Sequence, residues 1–149
     1  MRPIGVPDDE WSIGYGQTFN VDGLPLVATW GGGGYSPGAV ARLGRLMLRR
    51  GNWEGRQLIA PSAVEQVTSD AGTPHNGAMG WWSNNDGTVV KLPRDAFWGA
   101  GAGHQVLLVV PSLNLIAVRN GEILNSAKDY DTALREHFFD PIMQAVRES

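Results

Sequence analysis

Between Gln105 and Arg119 the chain carries two β-rich runs, Gln105 to Val110 and Leu113 to Arg119, separated at Pro111-Ser112. Both are rich in Val, Leu and Ile and apolar enough to lie inside a sheet, and the short break predicts that they fold back on each other as a hairpin. A second hairpin is expected from Met79 to Ser83 and Thr88 to Leu92, which flank the Gly-ended turn Asn84-Asn85-Asp86-Gly87. The strands therefore come in antiparallel pairs, while helices come in separate runs, and the βαβ rhythm of a parallel sheet is missing. The expected class is α+β, an antiparallel sheet flanked by helices.

The helices announce themselves by period and caps. Ser36 precedes Pro37, and Ala39, Val40, Leu43, Leu46 and Met47 recur at three- and four-residue spacing until Gly51. That is an amphipathic helix with Ser36 as N-cap, Pro37 at the first helical position and a C-terminal glycine. Its other face carries Arg42, Arg45 and Arg49, read as a solvated basic face, with Arg49 and Arg50 in the last turn where the helix dipole favours cations. Asn52-Trp53-Glu54-Gly55 reads as a turn, Pro61 opens a short helix through about Thr68, and Asp70 to Gly77 is loop. From Ser126 the pattern turns helical again, with Tyr130, Leu134 and Phe138 on one face and Asp140-Pro141 restarting a helix that carries Ile142, Met143 and Val146. The expected layout is one domain over 1–149: a loop-rich lead-in with one or two short strands over 1–35, a helical part over 36–78, antiparallel strands over 79–121 and a C-terminal helix over 126–148.

Composition excludes several functions. A chain of 149 residues can bury about 68–70% of its unfolded surface, so it needs no staple. Zero cysteines rule out disulfides, thiolate metal sites and a cysteine nucleophile, and a net charge of -3 argues against a polyanionic partner such as nucleic acid. The longest apolar stretch, Val106 to Val110, is far short of the roughly 18 residues of a membrane span, and Met1-Arg2-Pro3-Ile4-Gly5 lacks the apolar region of a signal peptide. The compartment stays open. Charged residues make up only 18% and there are six Trp, a hint that some apolar surface is covered by something outside the chain.

Local motifs mostly fail on chemistry. Gly34-Tyr35-Ser36-Pro37-Gly38 satisfies G-x-S-x-G, but the residue after the serine of a nucleophile elbow must donate its N–H to an oxyanion, and Pro37 has none. Gly31-Gly32-Gly33-Gly34 leads to no lysine, so it is no phosphate loop. Gly99-Ala100-Gly101-Ala102-Gly103-His104 fails G-x-G-x-x-G at its last position and leads into a strand, so no dinucleotide site is expected. His75, His104 and His137 have no metal-ligand spacing, and neither metal nor cofactor is expected. The run Phe97 to Gln105 remains: its glycines allow close approach of a ligand to strand backbone.

Two stretches together resemble the C-terminal half of the serine hydrolases that include class C β-lactamases, penicillin-binding proteins, related esterases and 6-aminohexanoate-dimer hydrolase. One is the helix and turn from Ser36 to Pro61. The other runs from Phe97 to Gly121, with a Gly-rich approach, Gln105, an apolar strand, the Pro111 turn and a returning strand ending at Asn120-Gly121. Met79-Gly80-Trp81-Trp82 between them is similar to the family's Gly-Trp strand. The resemblance implies a partial β-lactamase/transpeptidase-like fold and acyl transfer to a serine in the full-length parent.

The family's nucleophile sits in S-x-x-K and is helped by a Tyr or Ser motif. No serine here has a lysine three residues later, and no Y-x-N occurs. The family's Lys/His-Thr/Ser-Gly strand falls on Gly99-Ala100-Gly101, where Gly99 replaces the cation and Ala100 the hydroxyl, and Ala39 replaces the Asp usual in the first stretch. By resemblance, Gly101 and Ala102 carry the backbone oxyanion donor and Gly99, Ala100, Gly103 and His104 line the substrate. The implied partner is a missing N-terminal nucleophile half, or a second copy through an exposed sheet edge, with a small-molecule substrate in a parent that fits a periplasmic or secreted setting. The chain alone is expected to be inactive; the alternative is a non-catalytic binding or dimerisation module.

Overall fold

Residues 1–28, 31–72, 77–124 and 128–148 are described by a computed structural model, and its centre is the strand pair expected from the apolar runs. The lead-in contains β1 (Trp11–Ser12), β2 (Thr18–Val21), β3 (Leu24–Val27) and β4 (Gly34–Tyr35). Helix α1 (Pro37–Leu48), the small hairpin of β5 (Asn52–Trp53) and β6 (Arg56–Gln57), and α2 (Pro61–Thr68) follow. Strands β7 (Trp82–Ser83), β8 (Phe97–Gly101), β9 (Gln105–Val110) and β10 (Leu115–Arg119) build an antiparallel sheet in the order β10-β9-β8-β7. The chain then runs through α3 (Tyr130–Leu134), a π turn at Arg135–Phe139 and α4 (Asp140–Glu148). Among the described residues no helix is long and apolar enough to cross a membrane.

Strand alternation sends successive side chains to opposite faces, and here both faces are covered. Trp98, Val106, Leu108 and Val110 pack with Leu134, Phe138, Phe139 and Met143 of the C-terminal helices. Phe97, Leu107 and Val109 point the other way, against Met47 of α1 and Val64 of α2. That double burial is why β9 is apolar without alternation. Gly44 lets α1 approach: a Cβ there would lie 2.7 Å from Leu107 Cδ1 and 2.8 Å from Ile116 Cγ2, so the helix–sheet contact depends on its having no side chain.

The α1 caps follow the sequence reading. Ser36 Oγ accepts from the Ala39 N–H at 3.0 Å, and the Gly51 N–H returns to the Leu46 carbonyl at 2.8 Å with φ +83°. Its basic face is exposed at Arg42, Arg45 and Arg49, as expected, and two of these arginines also make local contacts. Arg45 and Arg42 lie over the Trp53 ring at 4.5 and 5.9 Å from its centroid, and Arg42 donates to the Ile4 carbonyl at 3.1 Å.

Several local expectations are corrected. Thr88 to Leu92 forms no strand. The fully buried Asn84 explains this: its side-chain amide donates to the carbonyls of Val89, Leu92 and Pro93 at 3.0–3.1 Å, and its Oδ1 accepts from the Val89 N–H at 2.9 Å. Backbone groups used this way are withdrawn from a ladder, and Trp82–Ser83 pairs instead with Phe97 and Trp98. The lead-in holds four short strands rather than one or two, because Asp22-Gly23, both at positive φ, close a β2–β3 hairpin. Glu54-Gly55 form the turn expected there, and the structure adds the short strands β5 and β6 on either side of it, within the part laid out as helical. Residues 111–113 form a tight turn, so β10 begins at Leu115. The C-terminal helix is not broken and restarted: it widens to a π turn just before Pro141, which cannot donate to the carbonyl four residues back. Its cap is Asp129, accepting from the Thr132 N–H at 2.9 Å; the expected start at Ser126 lies outside the described residues, as do Trp30 and His75.

Candidate functional site

The glycine-rich run folds as β8, a turn at Ala102–His104 and the start of β9, with Gly101 opposite Gln105. Three side chains brace this tip. Gln105 exchanges two hydrogen bonds with Gly121, donating at 2.6 Å and accepting at 2.9 Å. The Arg119 guanidinium donates to the carbonyl of His104 at 2.8 Å and to that of Glu122. The Tyr130 hydroxyl donates to the Gly101 carbonyl at 2.7 Å while its ring stacks on His104 at 4.4 Å. Burial, followed by the nearby Asp131 carboxylate, raises the Tyr130 pKa above the ordinary phenol value, with Arg119 opposing.

Strand stereochemistry decides which backbone groups are free. The Asn84 N–H donates to the Ala96 carbonyl at 2.9 Å, and Trp82 is opposite Trp98, so even-numbered residues of β8 turn their N–H and C=O groups toward β7 and odd-numbered ones toward β9. Within β8, strand β7 pairs with Phe97 and Trp98. Beyond it, the N–H and C=O of Ala100 point away from β9, and among the described residues no strand pairs with them. The N–H of Gly101 faces β9, and Ala102 lies past the strand, in the turn at Ala102–His104 and outside the lining of the cleft beside β8.

A cleft of about 570 Å³ lies against this strand, walled by Val40, Leu43, Trp81 and Leu107 and floored by Gly99, Ala100 and Gly101. Gly99 and Gly101 are kept from crowding by neighbours: a Cβ on Gly99 would sit 3.8 Å from Trp81 Cζ3, and one on Gly101 4.0 Å from Gln105 Cβ. The absence of side chains there leaves the cleft open. Gly103 and His104 are not in its lining. His104 is buried at the turn, its Nδ1 accepts from the Leu124 N–H at 3.2 Å, and its Nε2 has no partner among the described residues.

Ser36 is a cap and not an elbow nucleophile. Its Oγ donates to Glu10 Oε2 at 2.5 Å while accepting from Ala39, and its backbone is unstrained at φ −63° and ψ 152°. Among the described residues no hydrogen bond joins a serine hydroxyl to a lysine or histidine: Ser36, Ser69, Ser83 and Ser112 donate to Glu10, a backbone carbonyl, Asn85 and Asp95. No three His, Asp or Glu side chains gather as a metal site among those residues, and His137 is exposed on its helix. Sequence reasoning missed the bracing by Tyr130 and Arg119, which lie 29 and 15 residues from their backbone partners Gly101 and His104. It also gave Asn84 no role beyond a turn position.

No family model matches the sequence, and no curated protein does. Solved structures do share the arrangement. A protein from Bacillus anthracis described as a 6-aminohexanoate-dimer hydrolase superposes with a TM-score of 0.59 at 18% identity, over 78% of this chain and 30% of its own. A protein from Bacteroides dorei DSM 17855 described as a β-lactamase superposes with a TM-score of 0.57 at 12% identity, over 99% of this chain and 47% of its own. The chain has a β-lactamase-like fold. It spans less than half the length of either structure.

Proposed function

We propose that residues 1–149 act as the C-terminal portion of a β-lactamase-like serine hydrolase, contributing the substrate cleft and oxyanion donor while the serine nucleophile and its base come from a complementary half. The observation that carries this reading is the edge of β8 past its pairing with β7, where the backbone of Ala100 turns away from β9 beside the cleft, with Ala102 following as the first turn residue beyond the strand. In acyl transfer, charge develops on the carbonyl oxygen as the serine adds, and a fixed backbone N–H stabilises it without reorganising. The bracing of the tip by Gln105, Arg119 and Tyr130 supplies the rigidity that role requires. The serine-only chemistry of this portion is insufficient, because an unassisted hydroxyl is a weak nucleophile at neutral pH. Incubation with a p-nitrophenyl ester and with a chromogenic β-lactam tests the reading: no burst is expected, and a serine-dependent burst would refute it.

A second reading is a non-catalytic dimerisation module. It is favoured by the β2–β3 hairpin, where Phe19, Val21, Leu24 and Leu26 share one face and are all exposed. Light scattering across a concentration series separates the two, since only the module gains mass on its own.

A further inference from the structure

We infer that a second cavity, on the opposite face of the sheet from the cleft, binds a free α-amino acid with an apolar side chain, Asp131 receiving its ammonium and Arg135 its carboxylate. This site goes beyond the acyl-transfer reading and does not depend on it. Consecutive residues serve the two places: Trp81 lines the cleft on the α1 side, and Trp82 lines the second cavity on the side of the C-terminal helices. The cavity holds about 160 Å³ between Trp82 and Trp98 of the sheet and Leu134 and Phe139 beyond α3 and the π turn. Trp98, Leu134 and Phe139 are buried and Trp82 is 36% exposed, so an apolar interior opens past an indole at the surface. An apolar cavity of about 150 Å³ holds one benzene ring, so this one fits a single apolar side chain. Val89, which completes the wall, is held by the bond from its N–H to Asn84 Oδ1 at 2.9 Å, so the space is formed before any ligand arrives.

Asp131 and Arg135 are the charged side chains of the lining, four residues apart and both exposed. Among the described residues neither side chain makes a hydrogen bond or ion pair, with the other or with anything else. The charges around them do have partners. Asp129 caps the helix through the Thr132 N–H, and Lys128 pairs with Glu136, so Arg135 acts on Asp129 and Glu136 only through space, as Asp131 does on Tyr130. The hydroxyls of the lining are committed as well, Thr88 to Asp86 and Thr132 to Asp129. The rim therefore offers a ligand one carboxylate and one guanidinium. A ligand with a single charge meets a like charge beside the opposite one, whereas an α-amino acid meets two opposites. Its side chain fills the apolar interior while both of its charges stay at the wet mouth, which avoids the cost of burying them.

The test is a titration of the whole ¹⁵N-labelled chain, read at the tryptophan indoles. L-Phenylalanine should shift the Trp82 and Trp98 indoles saturably. Phenethylamine, which lacks the carboxylate, 3-phenylpropionate, which lacks the ammonium, and N-acetyl-L-phenylalaninamide, which lacks both charges, should each bind at least about three-fold more weakly. Two variants assign the charges. Arg135→Gln should weaken L-phenylalanine about three-fold and leave phenethylamine no weaker, and Asp131→Asn should weaken L-phenylalanine to a similar extent and leave 3-phenylpropionate no weaker. Retained spectral dispersion shows that both variants are folded. No saturable shift with L-phenylalanine, shifts confined to other tryptophans, equally tight binding of N-acetyl-L-phenylalaninamide, or unchanged L-phenylalanine affinity in the folded variants would each overturn the inference. None of these outcomes touches the acyl-transfer reading, and an acylation burst would remove that reading while leaving this site standing.

Discussion

Replacing Asn84 with alanine should be among the most damaging single changes in this chain, although Asn84 touches no ligand. Its side chain is fully buried and holds the loop between β7 and β8 through one accepted bond, from the Val89 N–H at 2.9 Å, and donations toward the carbonyls of Val89, Leu92 and Pro93. Leu92 is buried, so its carbonyl has little access to replacement water; the Val89 and Pro93 groups are half-buried and recover part of theirs. At about 1–3 kcal/mol for each buried polar group left without a partner, discounted at the wetter positions, the loss comes to about 3–4 kcal/mol. With a urea m-value of about 2 kcal/mol/M, the unfolding midpoint should fall by roughly 1.5–2 M. Asn84→Asp separates hydrogen bonding from cavity formation: it keeps the volume and the acceptor but sets a carboxylate against three carbonyls. It should be as destabilised as Asn84→Ala near neutral pH and recover in part at acidic pH, when the protonated carboxyl can donate one bond. Urea unfolding followed by tryptophan fluorescence measures both. A loss under about 1 kcal/mol for Asn84→Ala would refute the claim that this side chain organises the loop.

Two smaller perturbations probe the caps and the tip. Ser36→Ala removes the α1 N-cap and should cost about 1 kcal/mol in thermal or urea unfolding; a change in any residual esterase rate would instead show that Ser36 takes part in chemistry. Tyr130→Phe removes the donor to Gly101 and should cost about 0.5 kcal/mol at neutral pH, since the phenol is partly exposed. Because burial and Asp131 raise the Tyr130 pKa, its neutral form is favoured in the folded state. That contribution is intact below the unfolded value near 10 and declines as pH rises through the folded value, so wild-type stability should fall above about pH 10 more steeply than that of Tyr130→Phe. Parallel alkaline limbs would contradict this.

The elements that sequence reasoning placed well are those whose signals are local. Ser36-Pro37 and Gly51 bracket α1 because capping and αL chemistry act within a few residues. The apolar runs after Gln105 and before Asn120 were legible as strands because both faces of the sheet are covered. Thr88 to Leu92 misled because a β-rich composition was outbid by one distant-acting side chain, Asn84, whose partners span nine residues. Asp22-Gly23 is itself a legible hairpin turn, a D-G pair with both residues at positive φ. Of the residues that the resemblance points to, Gly99, Ala100 and Gly101 line the cleft, and Ala102, Gly103 and His104 do not. The direction of each β8 N–H is not legible in the sequence, since it depends on the parity of strand pairing, and neither is the burial of His104 under the Tyr130 ring with its Nδ1 taken by the Leu124 N–H.

On the proposed reading, this chain carries the cleft and oxyanion donor of an acyl-transfer site and no competent nucleophile of its own. Intact-mass spectrometry after prolonged incubation with a reactive fluorophosphonate, a p-nitrophenyl ester and a β-lactam tests it most directly. The unmodified mass is expected in all three cases; a stoichiometric adduct mapped to a serine of this chain would overturn the reading.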